Sequence, residues 1–272
     1  MGATSEREDR DKKRLWSVEC GASPVVTTAI HDGHGTRDDV LPLMALSDDE
    51  RLREEDPFTA QMISGMTNQI VVHRSRFEID LNRAKDQAIY LQPEQAWGLK
   101  VWREQPHDDV LSRSLNFHDD YYAMLHEILQ SVERRYGAFI VLDVHSYNHR
   151  RDGAEAESTP QVKAPDINIG TISMDRDRWA DVVDTIIEHF SGALIGGRHL
   201  DVRENIAFQG KGEQTRFIHE RFPDNGCAIA IEFKKIFMDE WTGEPDMKII
   251  QDIRDAVTSL EPVLEELLRT RT

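Results

Sequence analysis

The chain has 272 residues, with 33 Lys or Arg against 50 Asp or Glu, a formal net charge of −17 and a sequence pI near 5.0. That surplus of acid argues against a general nucleic-acid binder, because neutralising a phosphate backbone needs clustered Lys and Arg. No stretch approaches the ~20 apolar residues of a membrane span, the first twenty residues lack the apolar middle of a signal peptide, and Cys20 and Cys227 form no CxxC pair, so a soluble, cytoplasmic protein whose cysteines are packing residues is expected.

Residues 1–14 carry the mixed-charge run SEREDRDKKR, which has little to bury and is expected to be flexible. Residues 15–272 are long enough for a single domain with a sizeable core. Pro24–Ile30 is β-branched and runs into the glycine-containing stretch His31–Gly35, the pattern of a buried strand entering a tight turn. Within Leu41–Met66 a strongly charged stretch leads into a helix with Asp56 as N-cap and Pro57 at the first helical position. Asn68–Arg83 opens as a strand at Ile70–Val72 and continues into a polar turn.

Between Phe117 and Tyr136, Tyr122, Met124, Leu125, Ile128 and Leu129 form a helical stripe closed by Gly137. The run AFIVLDVHSYNHR that follows begins with five consecutive apolar residues, as in a strand covered on both faces, and reads as the centre of a sheet. Asp166–Ile172 and Ala228–Phe233 read as strands, and Asp177–Ser191 and Met247–Leu268 as helices, the last kinked or divided by Pro262. This alternation predicts a three-layer α/β sandwich with a mostly parallel or mixed central sheet.

Three polar residues stand at or near the ends of buried strands: His31, His145 and Glu232. Ligands of open α/β sheets bind beyond the carboxyl ends of the strands, so residues distant in sequence can converge there. Imidazoles with a carboxylate are a common ligand set for catalytic Zn²⁺, leaving one position for water. With 11 His in the chain, the competing reading is that these residues cap strands or satisfy the core. His34 competes with His31 for the same role, and His149 reads as a surface or supporting residue. Asp143 shares a strand face with His145 and is placed to orient its distal ring nitrogen.

In SRFEIDLNR, residues 75–83, two arginines and an amide suit bidentate capture of a carboxylate. The alternative is an exposed network in which Arg76 and Arg83 pair with Glu78 and Asp80, worth little. Residues 205–213 contain Gly210 and Gly212 without the spacing of a phosphate loop, and read as a loop beside a site. GxSxG, HExxH and dinucleotide-binding patterns do not occur, which removes the serine-hydrolase, helical-metalloprotease and dinucleotide readings.

Taken in order, His31-x-Gly33, Glu55-Asp56-Pro57-Phe58-Thr59, Ser75-Arg76-x-x-x-Asp80-Leu81-Asn82-Arg83, Leu142-Asp143-x-His145-Ser146 and Ile231-Glu232 resemble the N-formylglutamate amidohydrolase family over about residues 24–265. The most specific piece is SRFEIDLNR. Ile30 and Ala60 depart from the family's pattern. The resemblance implies a zinc-carboxypeptidase-like (phosphorylase/hydrolase-like) sandwich, one Zn²⁺ per chain, and conversion of N-formyl-L-glutamate and water to formate and L-glutamate, a step of histidine degradation.

The resemblance also implies roles for individual residues. His31 and His145 are metal ligands, joined by a carboxylate from Glu55-Asp56, with Asp56 favoured because Thr59 follows it. Glu232 is the general base, in an apolar strand that raises its pKa. Arg76 polarises the scissile carbonyl, and Arg76, Asn82 and Arg83 bind the substrate. The implied partner is a small N-acyl amino acid, with neither nucleic acid nor membrane involved. Two alternatives stay open: a hydrolase of another N-acyl amino acid or small peptide, and a non-catalytic carboxylate-binding module on the same fold. Another divalent ion in place of zinc is also open.

Overall fold

A computed structural model describes residues 15–271; the segment 1–14, expected to be flexible, lies outside them. Among the described residues seven strands form one mixed sheet: β1 (Trp16–Glu19), β2 (Val25–Ala29), β3 (Gln69–Val72), β4 (Phe139–Tyr147), β5 (Ile167–Gly170), β6 (Val202–Glu204) and β7 (Gly226–Lys234), in the order β1-β3-β2-β4-β7-β5-β6. The middle strands β3, β2, β4 and β7 are parallel, whereas β1 runs antiparallel to β3 and β5 antiparallel to β7. β4 is the central strand and every one of its nine residues is buried, as its unbroken apolar run predicts.

Six α-helices cover the described sheet: α1 (Asp48–Glu54), α2 (Thr59–Ile63), α3 (Asp108–Tyr136), α4 (Ala180–Gly192), α5 (Glu213–Arg221) and α6 (Met247–Arg271). The pleat sorts side chains between two cores. Ile140, Leu142 and Val144 of β4 pack with Met62, Ile186 and Val257 from α2, α4 and α6. Phe139 and Val141 pack with Tyr121, Leu125 and Ile218 from α3 and α5. The result is the three-layer α/β arrangement expected from the alternating pattern. No helix among the described residues is long and apolar enough to cross a membrane.

Several local expectations are corrected. Asp56 is not an N-cap and Pro57 is not helical: α1 starts earlier, on a capping box of Ser47 and Glu50, and α2 begins only after Phe58, whose φ of 72° breaks the chain's helical path. The loop between them turns Asp56 inward. α3 begins at Asp108, nine residues before Phe117, where Asp108 and Asp109 complement the helix dipole. Pro262 lies inside α6 without dividing it. Of the two cysteines, both free, Cys227 is buried in the core but Cys20 is exposed.

Candidate metal centre and active site

Because β2 and β4 are adjacent and parallel, their carboxyl ends open on the same edge of the sheet, with Thr28 level with Asp143. His31 follows β2 and His145 lies near the end of β4, so the two imidazoles meet with ring centroids 4.9 Å apart. Asp56 completes the group: one ligand atom from each of His31, Asp56 and His145 lies within 4.8 Å of the others, and all three residues are buried. Asp56 Oδ2 is 3.0 Å from His145 Nδ1 and 3.4 Å from His31 Nδ1. Burial alone would push the Asp56 carboxyl up, but the two imidazoles outweigh it and hold the group well below the usual range.

Each imidazole has a buried carboxylate behind it, hydrogen-bonded to His31 and in ion-pair contact with His145. His31 Nε2 sits 2.7 Å from Asp80 Oδ1, and His145 Nε2 sits 3.0 Å from Asp143 Oδ2. Such partners fix ring orientation and raise ligand basicity. Asp143 is anchored in turn, accepting from the Thr28 hydroxyl at 2.8 Å, which accepts from Gln214 Nε2 at 2.8 Å, while the Tyr121 hydroxyl donates to Gln214 Oε1. His145 is pulled well above its ordinary pKa, against the effect of burial, by Asp143 and Asp56. His31 Nδ1 is the telling atom. It is buried and makes no hydrogen bond, although Asp56 Oδ2 lies 3.4 Å away, and His145 Nε2 and Asp143 Oδ2 likewise make none; for buried polar atoms this is costly unless something else engages them.

Glu232 stands level with His145 in the β4–β7 register and with Asn168 on its other side. Burial pushes its carboxyl up to about 8, with Asp56 and Asp143 adding to the rise and His145 opposing it. The neighbouring carboxylate, Glu55, is fully buried but turned away from the imidazole pair: it accepts from Ser75 Oγ and lies 2.5 Å from His34 Nδ1. His34 is thereby engaged apart from the His31–Asp56–His145 group. His149 does not line the cavity.

The SRFEIDLNR turn is not an exposed network. Ser75 Oγ accepts the Phe77 N–H, and Asp80 Oδ1 accepts the Asn82 N–H, so the turn is stapled by its own side chains. Arg76 Nη2 donates to Asp80 Oδ2 at 2.9 Å and to Tyr90 Oη at 3.3 Å, and its guanidinium lies 4.9 Å from the Trp97 ring centroid. Glu78 goes elsewhere, to Arg37 at 2.9 Å. Arg83 is half-exposed, its Nε 3.9 Å from Asp80 Oδ2.

His31, Asp56, His145, Glu232, Arg76, Asn82 and Arg83 all line one cavity of about 470 Å³. Its walls also hold residues that sequence patterning did not single out. Lys235, buried, donates from Nζ to the carbonyls of Arg53 and Glu55 at 2.5 and 2.7 Å, bracing the loop that carries Asp56. Arg151 pairs with Glu54 at 3.0 Å and stacks on Trp97, whose side chain is 43% exposed. These come from irregular segments without periodicity; only Lys235, in the polar pair directly after the apolar run of β7, had a recognisable signal.

The family model for N-formylglutamate amidohydrolase matches residues 23–238. An N-formylglutamate amidohydrolase from Ralstonia eutropha JMP134 is 18% identical, covers 95% of this chain and 99% of that chain, and superposes with a TM-score of 0.73. A protein of Agrobacterium tumefaciens is 17% identical over 96% of both chains with a TM-score of 0.59. A metallo-carboxypeptidase of Pseudomonas aeruginosa, 12% identical over 97% of this chain and 68% of that one, reaches only 0.39, too slight a likeness to argue from. No curated protein is a significant match in sequence. The chain belongs to the N-formylglutamate amidohydrolase family.

Proposed function

We propose that the chain is a Zn²⁺-dependent amidohydrolase that cleaves N-formyl-L-glutamate to formate and L-glutamate, a step of histidine degradation, with residues 15–272 as one catalytic domain acting in the cytoplasm. The observation that carries this reading is the buried cluster of His31, Asp56 and His145 with His31 Nδ1 unpartnered, beside Glu232 in one cavity. Two imidazole nitrogens and a carboxylate fit one zinc ion, and the unsatisfied His31 Nδ1 is the atom such an ion would engage. When bound, the ion supplies a Lewis acid that polarises the amide carbonyl and acidifies water.

The remaining steps belong to the chain's own residues. Glu232 takes a proton from the attacking water and returns it to the departing amine nitrogen. Its carboxyl, raised to about 8 by burial, ionises more readily beside a cation, because positive charge favours the carboxylate. Arg76, fixed by Asp80 and Tyr90, presents a guanidinium whose charge acts on the oxyanion as it develops. Asn82 and Arg83 hold the substrate's α-carboxylate.

Two variants test the assignment. E232Q is expected to keep metal and lose roughly 10²- to 10⁴-fold in kcat. H145A is expected to lose metal and activity together. Full activity in E232Q, or activity that survives exhaustive chelation, would overturn it.

A further inference from the structure

The cations lining the cavity are not equivalent. Arg76 is committed to Asp80, Arg151 to Glu54, and Lys235 to two backbone carbonyls. Lys211 lines the same cavity, is exposed, and has no hydrogen-bond or ion-pair partner among the described residues. Its ammonium is therefore free to meet a ligand in the cavity.

The segment that carries Lys211 is tied down by hydrogen bonds and close backbone contacts. Asn168 Oδ1 accepts the N–H groups of Ile206 and Ala207, and its Nδ2 donates to Phe208 O at 2.8 Å. The Thr215 hydroxyl lies 3.1 Å from the carbonyls of both Gly210 and Gly212. Gly210 has φ of +67°, and a Cβ there would come within 2.4 Å of the Gly170 backbone; a Cβ on Gly212 would come within 2.0 Å of Asn82 Oδ1. The loop also bonds to the arginine turn, Glu213 N–H donating to Asn82 O at 3.0 Å. Lys211 and Arg83 therefore stand on two segments locked to each other, facing one cavity.

We propose that Lys211 is a specificity-determining residue that binds the second carboxylate of the substrate, so that the site selects N-acyl derivatives of dicarboxylic amino acids over those with neutral side chains. This rests on the reading of the cavity as the active site. An α-carboxylate at Asn82 and Arg83 leaves a side-chain carboxylate that, among the described residues lining the cavity, no other uncommitted cation can neutralise. A point charge on a flexible stem is suited to a group at the end of a short methylene chain.

The test is calorimetric binding of glutarate and of its monoamide, glutaramate, to the metal-loaded wild type, Lys211→Met and Lys211→Arg, with formate release from N-formyl-L-glutamate assayed on the same wild-type sample. Wild type is expected to bind glutarate about tenfold or more tightly than glutaramate. K211M is expected to remove that preference by weakening glutarate alone, and K211R to restore part of it. A preference that persists in K211M, equal weakening of both ligands, or no preference in wild type would overturn the proposal. Formate release with an unchanged preference in K211M refutes the role of Lys211 alone. A Lys211-dependent preference without formate release supports the carboxylate site and refutes deformylation.

Discussion

Asp80 is the residue on which the His31–Asp56–His145 cluster and the arginine turn both depend, and D80N is the sharpest perturbation of that coupling. The fully buried carboxylate accepts four hydrogen bonds: His31 Nε2 at 2.7 Å and Asn82 N–H at 2.8 Å on Oδ1, Arg76 Nη2 at 2.9 Å and the Tyr90 hydroxyl on Oδ2. Although burial opposes ionisation, Arg76 and His31 hold its pKa well below the ordinary value, so it is an anion in the folded protein. Asparagine keeps the shape but offers one acceptor. If its oxygen stays with His31 and Asn82, its NH₂ faces Arg76, donor against donor.

Removing one partner of a buried ion pair costs about 3–5 kcal/mol, a large part of the ~5–15 kcal/mol that holds a typical domain together. Loss of the carboxylate behind a ligating imidazole lowers metal affinity roughly 10- to 100-fold. Urea unfolding at neutral pH and competition with a chromogenic chelator measure the two effects on one preparation. A destabilisation under about 1 kcal/mol together with metal affinity unchanged would refute the claim that Asp80 organises His31 and Arg76.

Two further outcomes follow from the geometry. Burial lowers His219 to about 4, from an ordinary value of 6.5. Between those values the unfolded chain binds a proton that the folded chain does not, so stability falls as pH drops from 6.5 towards 4, by at most about 3 kcal/mol, and this group contributes no further loss below that. Urea unfolding of wild type and H219Q across this range checks it, and an identical slope in both would contradict it. G210A forces a side chain into a left-handed conformation against the Gly170 backbone and is expected to cost about 1–3 kcal/mol and to raise KM by shifting the loop beside Asn82. Unchanged stability and KM would show that the loop relaxes freely.

The strands that build the site were legible because β4 and β7 carry unbroken apolar runs such as AFIVL and AIAI, the pattern of strands buried on both faces. His31 and His145 were legible as strand-end residues. That they meet depends on β2 and β4 being neighbours, which periodicity does not encode; the family resemblance supplied that pairing. Asp56 was misread at the level of backbone, since Asp-Pro matches a helix start, and only the left-handed Phe58 shows the chain turning the carboxylate inward. Arg151 and Lys211 were not legible because they sit on irregular segments fixed by side-chain-to-backbone hydrogen bonds from residues far away in sequence, as Glu240 fixes 149–150 and Asn168 fixes 206–208, and Trp97 sits at the end of a short 3-10 turn.

The central claim, that a metal held by His31, Asp56 and His145 serves hydrolysis of a formyl amide, is tested most directly on untagged protein by elemental analysis and formate release from N-formyl-L-glutamate measured together. The account predicts close to one zinc per chain and formate released in proportion to the zinc bound. Protein that cannot be loaded with any divalent metal, or that releases formate equally well after complete chelation, would contradict it.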